Sequence, residues 1–207
     1  KLLLENGGDA KQANNNSYTP VYTASEGGHA GAVKILLAAG ATTDVYASYG
    51  ETPFHAAAGD GHSEIITMLL DHGGLDIDQV TGEDHDHGFT GSTALMLAAE
   101  NGHVEAVTLL LGRGADVNKA DDEGYTSMWG AAEGGHVEVL KLLLDCGVGV
   151  NAVSHRGQTP LFPASRGGHV AAIKFLLGRG ADTSKADDGG ETPVYIASEL
   201  GEAEAAH

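Results

Sequence analysis

The sequence predicts an all-α solenoid, a stack of like units that each contain a turn and two antiparallel helices. Three observations predict it. A phrase reading Thr-Pro-x-x-x-Ala, then three residues, then Gly-His, starts at Thr19, Thr52, Thr93, Thr126, Thr159 and Thr192, with variations. Five of the six copies close on Gly-His, at His29, His62, His103, His136 and His169. A Leu-Leu pair with glycine three residues later keeps the same spacing, from Leu3-Leu4 and Gly7 to Leu176-Leu177 and Gly180. Both rulers step by 33 residues except for one step of 41, so eight extra residues lie between Gly73 and Thr93. A fixed period of this length marks stacked units. The composition agrees: 42% of residues are hydrophobic but only 5% aromatic, so Leu, Ala, Val and Ile must build thin layers of closely approaching helices.

The unit at 119–151 shows why each element forms. Asp121-Asp122-Glu123-Gly124 is a turn, with acidic side chains for local bonds to backbone and glycine for a positive φ. Thr126 is placed as the helix N-cap, its hydroxyl facing a free amide of the first turn. In four copies proline follows the threonine (Pro20, Pro53, Pro160, Pro193), where its missing donor is not needed. The first helix runs through Ala131-Ala132 and stops at Gly134-Gly135. His136 opens a second helix whose Val137, Leu140, Leu143 and Leu144 recur at three- and four-residue steps, so one face is buried. Gly147 ends it in a left-handed conformation. Such a unit cannot bury its apolar faces alone. Ala56-Ala57-Ala58, Ala98-Ala99 and Ala131-Ala132 let the first helices lie close together.

The stretches Thr52-Pro53-Phe54-His55-Ala56-Ala57, Gly102-His103-Val104-Glu105 and Leu109-Leu110-Leu111-Gly112-Arg113-Gly114-Ala115-Asp116-Val117-Asn118 resemble the ankyrin repeat, and the resemblance covers essentially the whole chain. It implies L-shaped units whose turns project as a row of fingers beside the helices. A single domain over 1–207 is expected: the end of a preceding unit at 1–11, full units at 12–44, 45–77, 78–118 (with the insertion), 119–151 and 152–184, and a partial unit at 185–207. The sequence departs from the family pattern in places. The fourth position of the family's Thr-Pro-Leu-His phrase is histidine only at His55; elsewhere it is Tyr22, Met96, Trp129, Phe162 and Tyr195. A threonine–histidine side-chain bond is therefore expected in one unit only. Pro163 falls early in a first helix, where it tightens or kinks the first turn. Gly130 stands where a helix former belongs, at about 1 kcal/mol relative to alanine. These oddities gather in the fourth and fifth units, marking either drift or a local binding surface.

The insertion is read as one finger longer than the rest, crowded with carboxylates and imidazoles from Glu83 to His87. Asp84, His85, Asp86 and His87 are the candidate metal ligands. Zinc needs a third and usually a fourth ligand beside the two histidines, with His72 and Asp78 at hand. The oxygen-rich set instead suits weakly held calcium, though without EF-hand spacing. A solvated acidic loop and a partner-contacting finger are the alternatives. Apart from this weak zinc or calcium site no cofactor is expected.

Composition and motifs narrow the function. A formal charge of −18 argues against nucleic acid, whose affinity comes from cations neutralising phosphates, and suits a basic surface on a partner protein. No apolar run reaches a membrane span. The chain begins at Lys1 without a secretory signal and reads as a piece of a longer array. Cys146, the only cysteine, allows no intrachain disulfide, fits a reducing, cytoplasmic setting, and is read as a small buried or half-buried apolar side chain. Six of the eleven histidines belong to the repeat phrase, where a structural bond to backbone explains them. There is no nucleophile elbow, phosphate loop or paired-histidine zinc motif, so an enzyme is not expected.

The resemblance to the ankyrin repeat implies binding of another protein through finger tips and the exposed side of the first helices, on a concave face. Position by position, the finger contacts are Tyr46, Ser48, Tyr49 and Glu51; Asp122, Glu123 and Tyr125; His155, Arg156 and Gln158; Asp188 and Glu191. The helix contacts are Glu26, Asp60, Glu100, Asn101, Glu133 and Arg166. Tyr18, Tyr46, Tyr49, Tyr125 and Trp129 are the expected anchors, because aromatics dominate interface energetics; each turn tyrosine can also be an ordinary turn residue. The alternative is a rigid spacer in a longer repeat protein. Leu2-Leu3-Leu4 and the last helix should then expose apolar faces and support end-to-end association.

Overall fold

A computed structural model describes residues 1–47, 50–82, 91–199 and 201. Within them the chain is all helical, with only isolated bridges at Val80–Thr93 and Ala120–Thr126. A short α1 (Leu2–Glu5) precedes five helix pairs: α2 (Pro20–Glu26) with α3 (Ala30–Ala38), α4 (Pro53–Gly59) with α5 (Ser63–His72), α6 (Ala94–Glu100) with α7 (Val104–Gly112), α8 (Ser127–Glu133) with α9 (Val137–Asp145), and α10 (Leu161–Arg166) with α11 (Val170–Gly178); α12 (Pro193–Glu199) follows. First helices stack on first helices (α2, α4, α6, α8, α10, α12) and second helices on second helices (α3, α5, α7, α9, α11). One continuous core runs between the two layers. Ala57, Ala58, Ala98, Ala99, Ala131 and Ala132 are fully buried in it, so a larger side chain there would overpack by roughly 1–3 kcal/mol. In α9 the buried stripe is Val139, Leu140 and Leu143, with Val137 and Leu144 at its edges.

The Gly-His corner ties the units together. His62 Nε2 meets the Glu26 carbonyl at 2.9 Å, His103 that of Gly59 at 2.8 Å, His136 that of Glu100 at 2.9 Å and His169 that of Glu133 at 2.6 Å. Each ring reaches the end of the preceding first helix, satisfying a carbonyl that has no partner within the helix. The preceding glycines are fixed twice over. Gly61 has φ +73°, and a Cβ there would lie 2.5 Å from the His103 ring.

The helix starts differ as the sequence does. Thr19 and Thr93 accept the Tyr22 and Met96 amides at 3.2 and 3.3 Å. His55 Nδ1 lies 2.9 Å from the Thr52 hydroxyl and 3.3 Å from its amide, while Nε2 meets the Gln79 carbonyl at 3.1 Å. Since a carbonyl only accepts, Nε2 carries the proton and Nδ1 accepts from Thr52. Burial drives the His55 pKa down to about 4, so the ring is neutral. Met96 takes over part of this role: its Sδ accepts the Thr93 amide at 3.4 Å. Thr126, expected to cap through its hydroxyl, makes no such bond. Its ψ is 172°, against 158° at Thr19 and 163° at Thr93, a rotation that moves the first-turn amides out of reach of the hydroxyl.

Pro163 tightens its helix. It has no amide for the Thr159 carbonyl, so the Phe162 amide takes that carbonyl at 2.9 Å. Helix α10 then begins only at Leu161, and the buried Thr159 hydroxyl is left without a partner. Cys146 is exposed rather than buried. It is the C-cap residue of α9, one position past the last helical turn and off the stripe that faces the core.

The eight extra residues do not all enter the finger. Gly73 and Gly74 both have positive φ, and Asp76 then accepts the Asp78 amide at 3.0 Å as Asp116 accepts that of Asn118 at 2.9 Å. One extra residue therefore sits at Gly74. The other seven lie between Asp78 and Thr93.

Candidate functional site

The site is built from one finger turn and three first helices. Asp121 closes the turn by accepting the Glu123 amide at 3.0 Å and the Tyr125 amide at 2.8 Å, while its own amide donates to the Tyr125 carbonyl at 2.9 Å. Gly124, at φ +80°, leaves no room for a Cβ against the next finger, where the His155 backbone nitrogen would lie 2.6 Å away. The His155 amide in turn donates to the Glu123 carbonyl at 3.0 Å, so neighbouring fingers are joined. This frame holds Tyr125 over Trp129 of α8, with ring centroids 4.0 Å apart and planes at 28°. The Arg166 guanidinium of α10 stands 5.7 Å from the Trp129 ring, a cation–π distance.

These side chains line a recess of about 590 Å³ between α6, α8 and α10. Ser92, Met96, Leu97, Thr126 and Gly130 line it beside the aromatic pair. The charged groups come in two kinds. Arg166 donates to Glu133 at 2.5 Å, and Arg156 pairs with Glu123 at 3.1 Å. Glu100 and Asp121 have no cation partner among the described residues. Burial in the recess pushes the Glu100 carboxyl up, with Glu133 and Asp121 acting the same way, although the side chain still reaches solvent. Burial also raises Asp121, against the two amides that lower it. The Tyr125 phenol is pushed up by the same desolvation. Trp129 Nε1 is buried and has no hydrogen-bond partner.

A family model described as ankyrin repeats (3 copies) matches residues 1–81, 78–154 and 131–207, together the whole chain. The chain belongs to the ankyrin-repeat family. Ankyrin repeats are in general protein–protein interaction modules. The fold is that of a solved structure titled as the crystal structure of the human ASB11 ankyrin repeat domain, with a TM-score of 0.84 at 24% identity, over 99% of this chain and 89% of that one. At that identity the likeness concerns the fold.

Within the ankyrin array, the structure gathers seven of the sequence-selected residues at the recess: Glu100, Glu123, Tyr125, Trp129, Glu133, Arg156 and Arg166. The others are spread along the stack. Tyr18 stacks on Tyr22 at 4.9 Å, and the Tyr22 hydroxyl donates to Glu51 at 3.0 Å, so this corner is filled from within. Tyr46 is 47% exposed and lies beside Gly82. Gln158 donates to Asp187 at 3.1 Å, and Asp122 and His155 lie on the finger row. Ser48, Tyr49 and the candidate metal ligands Asp84, His85, Asp86 and His87 lie outside the described residues. Among the described residues no group of three or more His, Cys, Asp or Glu is placed to hold a metal, and no helix is long and apolar enough to cross a membrane. Sequence reasoning missed Asp121 as a recess wall, since its turn role masks it. Gly130 was noticed only as an oddity: a Cβ there would stand 3.2 Å from Glu100 Cβ, so the glycine keeps α8 close to α6.

Proposed function

We propose that this ankyrin array is a recognition module that grips a partner protein across its finger turns and first helices, with the Tyr125–Trp129 recess as the anchor. The observation that carries the reading is the recess itself. It joins a stacked aromatic pair, two ion pairs and two carboxylates without a cation partner among the described residues in one concavity. Large flat side chains in a partly desolvated pocket are where binding energy concentrates. The charge of −18 directs the module toward a partner with a basic surface. We read it as a binder, not an enzyme. The test is selection of a protein-fragment display library on the chain, with retained clones re-tested on Trp129→Ala and Tyr46→Ala variants. Clones that lose binding to the first and keep it to the second support the reading. Clones indifferent to Trp129→Ala, or no retained clone, overturn it.

A second reading, a spacer that stacks end to end, is favoured by the exposure of apolar side chains at both ends. Leu2 and Leu3 are 73% and 81% exposed, and Val194 and Tyr195 are 46% and 52% exposed. This predicts a sedimentation coefficient that rises with protein concentration. A constant monomeric value up to millimolar protein contradicts it.

A further inference from the structure

The recess also carries information about what enters it. Its two guanidinium groups are already engaged, Arg166 by Glu133 and Arg156 by Glu123. An incoming anion would have to break one of these pairs and face four carboxylates. An incoming apolar group would bury against Met96 and Leu97 but strip water from Glu100 and Asp121 without supplying a cation, leaving Asp121 only its two turn amides, which is costly. A cation answers both deficits at once, because it gives those two carboxylates a shared charge partner and lies against the electron-rich rings of Tyr125 and Trp129. The shape of the site then separates the two basic side chains. A lysine ammonium is a compact, strongly hydrated point charge, whereas a guanidinium is planar, stacks on aromatic faces and holds a carboxylate through two parallel N–H donors.

We propose that the recess takes an arginine side chain from a basic segment of the partner protein, held between Glu100 and Asp121 and against the Tyr125–Trp129 pair. This rests on the reading of the recess as the partner anchor, and it adds the chemical class of the residue bound there. Desolvation of both carboxyl groups in the free protein agrees with it, since an arriving cation relieves that penalty.

Trp129 is the only tryptophan, so its emission reports on the recess alone. The probe is N-acetyl-arginine amide, titrated at constant ionic strength beside N-acetyl-lysine amide and N-acetyl-glutamate amide. The expected result is a saturable change in Trp129 emission with the arginine compound at millimolar concentration, several-fold weaker with the lysine compound and absent with the glutamate one. The double variant Glu100→Gln, Asp121→Asn should weaken the arginine response at least tenfold, on the scale of losing buried charge partners. Asp121→Asn keeps the oxygen that closes the turn, and an unchanged circular dichroism spectrum of that variant verifies the frame. Equal responses to lysine and arginine, a response to glutamate, no saturable response, or an undiminished response in the double variant each overturn the proposal. The fragment library separates this failure from that of the parent reading. Clones that depend on Trp129 but lack a common arginine sink the arginine assignment and leave the anchor standing.

Discussion

Two corners of the stack place aromatic pairs at equivalent positions and put them to opposite ends. Tyr18 and Tyr22 flank Thr19 as Tyr125 and Trp129 flank Thr126, and both pairs are stacked. At the first corner Tyr22 is buried, and its hydroxyl is taken by Glu51 from the next finger. At the second, the residue in Glu51's place is Gln158, and its amide is turned to Asp187 on the finger beyond. Trp129 therefore keeps an indole N–H with no partner and lines an open recess. The residue after the ring also differs, Thr23 in one and Gly130 in the other. The same scaffold position becomes core or binding surface according to one side chain 29 residues later and one residue beside it.

The comparison is broken most severely by removing the rings. Tyr22→Ala should cost about 3–5 kcal/mol, as for other buried aromatics, read as a lowered denaturation midpoint. Trp129→Ala should cost roughly half as much, because its ring is half-exposed, while abolishing capture of library clones. Equal stability losses would mean that both corners are core.

The pH dependence comes next in size. His55 is neutral in the fold with a pKa of about 4, against about 6.5 in the unfolded chain. The unfolded chain therefore binds a proton first as pH falls, so stability is full above about 6.5 and drops toward pH 4, by on the order of 3 kcal/mol. Glu100 and Asp121, whose pKa values are raised, act in the opposite sense as they protonate. A His55→Met variant copies the arrangement at Met96 and should flatten the curve between pH 6.5 and 4. An unchanged slope in that variant would remove His55 as the cause.

Two smaller effects sharpen the account. Gly130→Ala should fail to deliver the ~1 kcal/mol that alanine normally adds to a helix, because its Cβ meets Glu100 at 3.2 Å. A full gain in thermal stability would show that α6 and α8 separate easily. Ser17 is the one non-glycine with positive φ among the described residues, at the position held by Gly50, Gly91, Gly124, Gly157 and Gly190. Ser17→Gly should raise stability by about 0.5–1 kcal/mol by removing left-handed strain.

Much of the fold was legible because each unit repeats the same physical instructions: the turn glycine, the capping threonine, the small residues between first helices and the Gly-His corner. Met96 standing in for histidine was not legible, since only geometry shows that its sulfur reaches the Thr93 amide. Cys146 was misplaced because a position one step beyond a helix stripe looks like the stripe. For the site, the sequence named seven recess residues but could not separate Tyr125 from Tyr46, both turn tyrosines. The distinction arises between units, in where Gln158, Gly130 and Arg166 leave space.

The central claim is that Trp129 sits where the partner binds. It is tested most directly by acrylamide quenching of Trp129 emission in the presence and absence of a saturating captured clone. A bound partner should cut the quenching constant several-fold, and Tyr46→Ala should leave that protection intact. Unchanged quenching with the partner bound would place the interface elsewhere on the array and contradict the account.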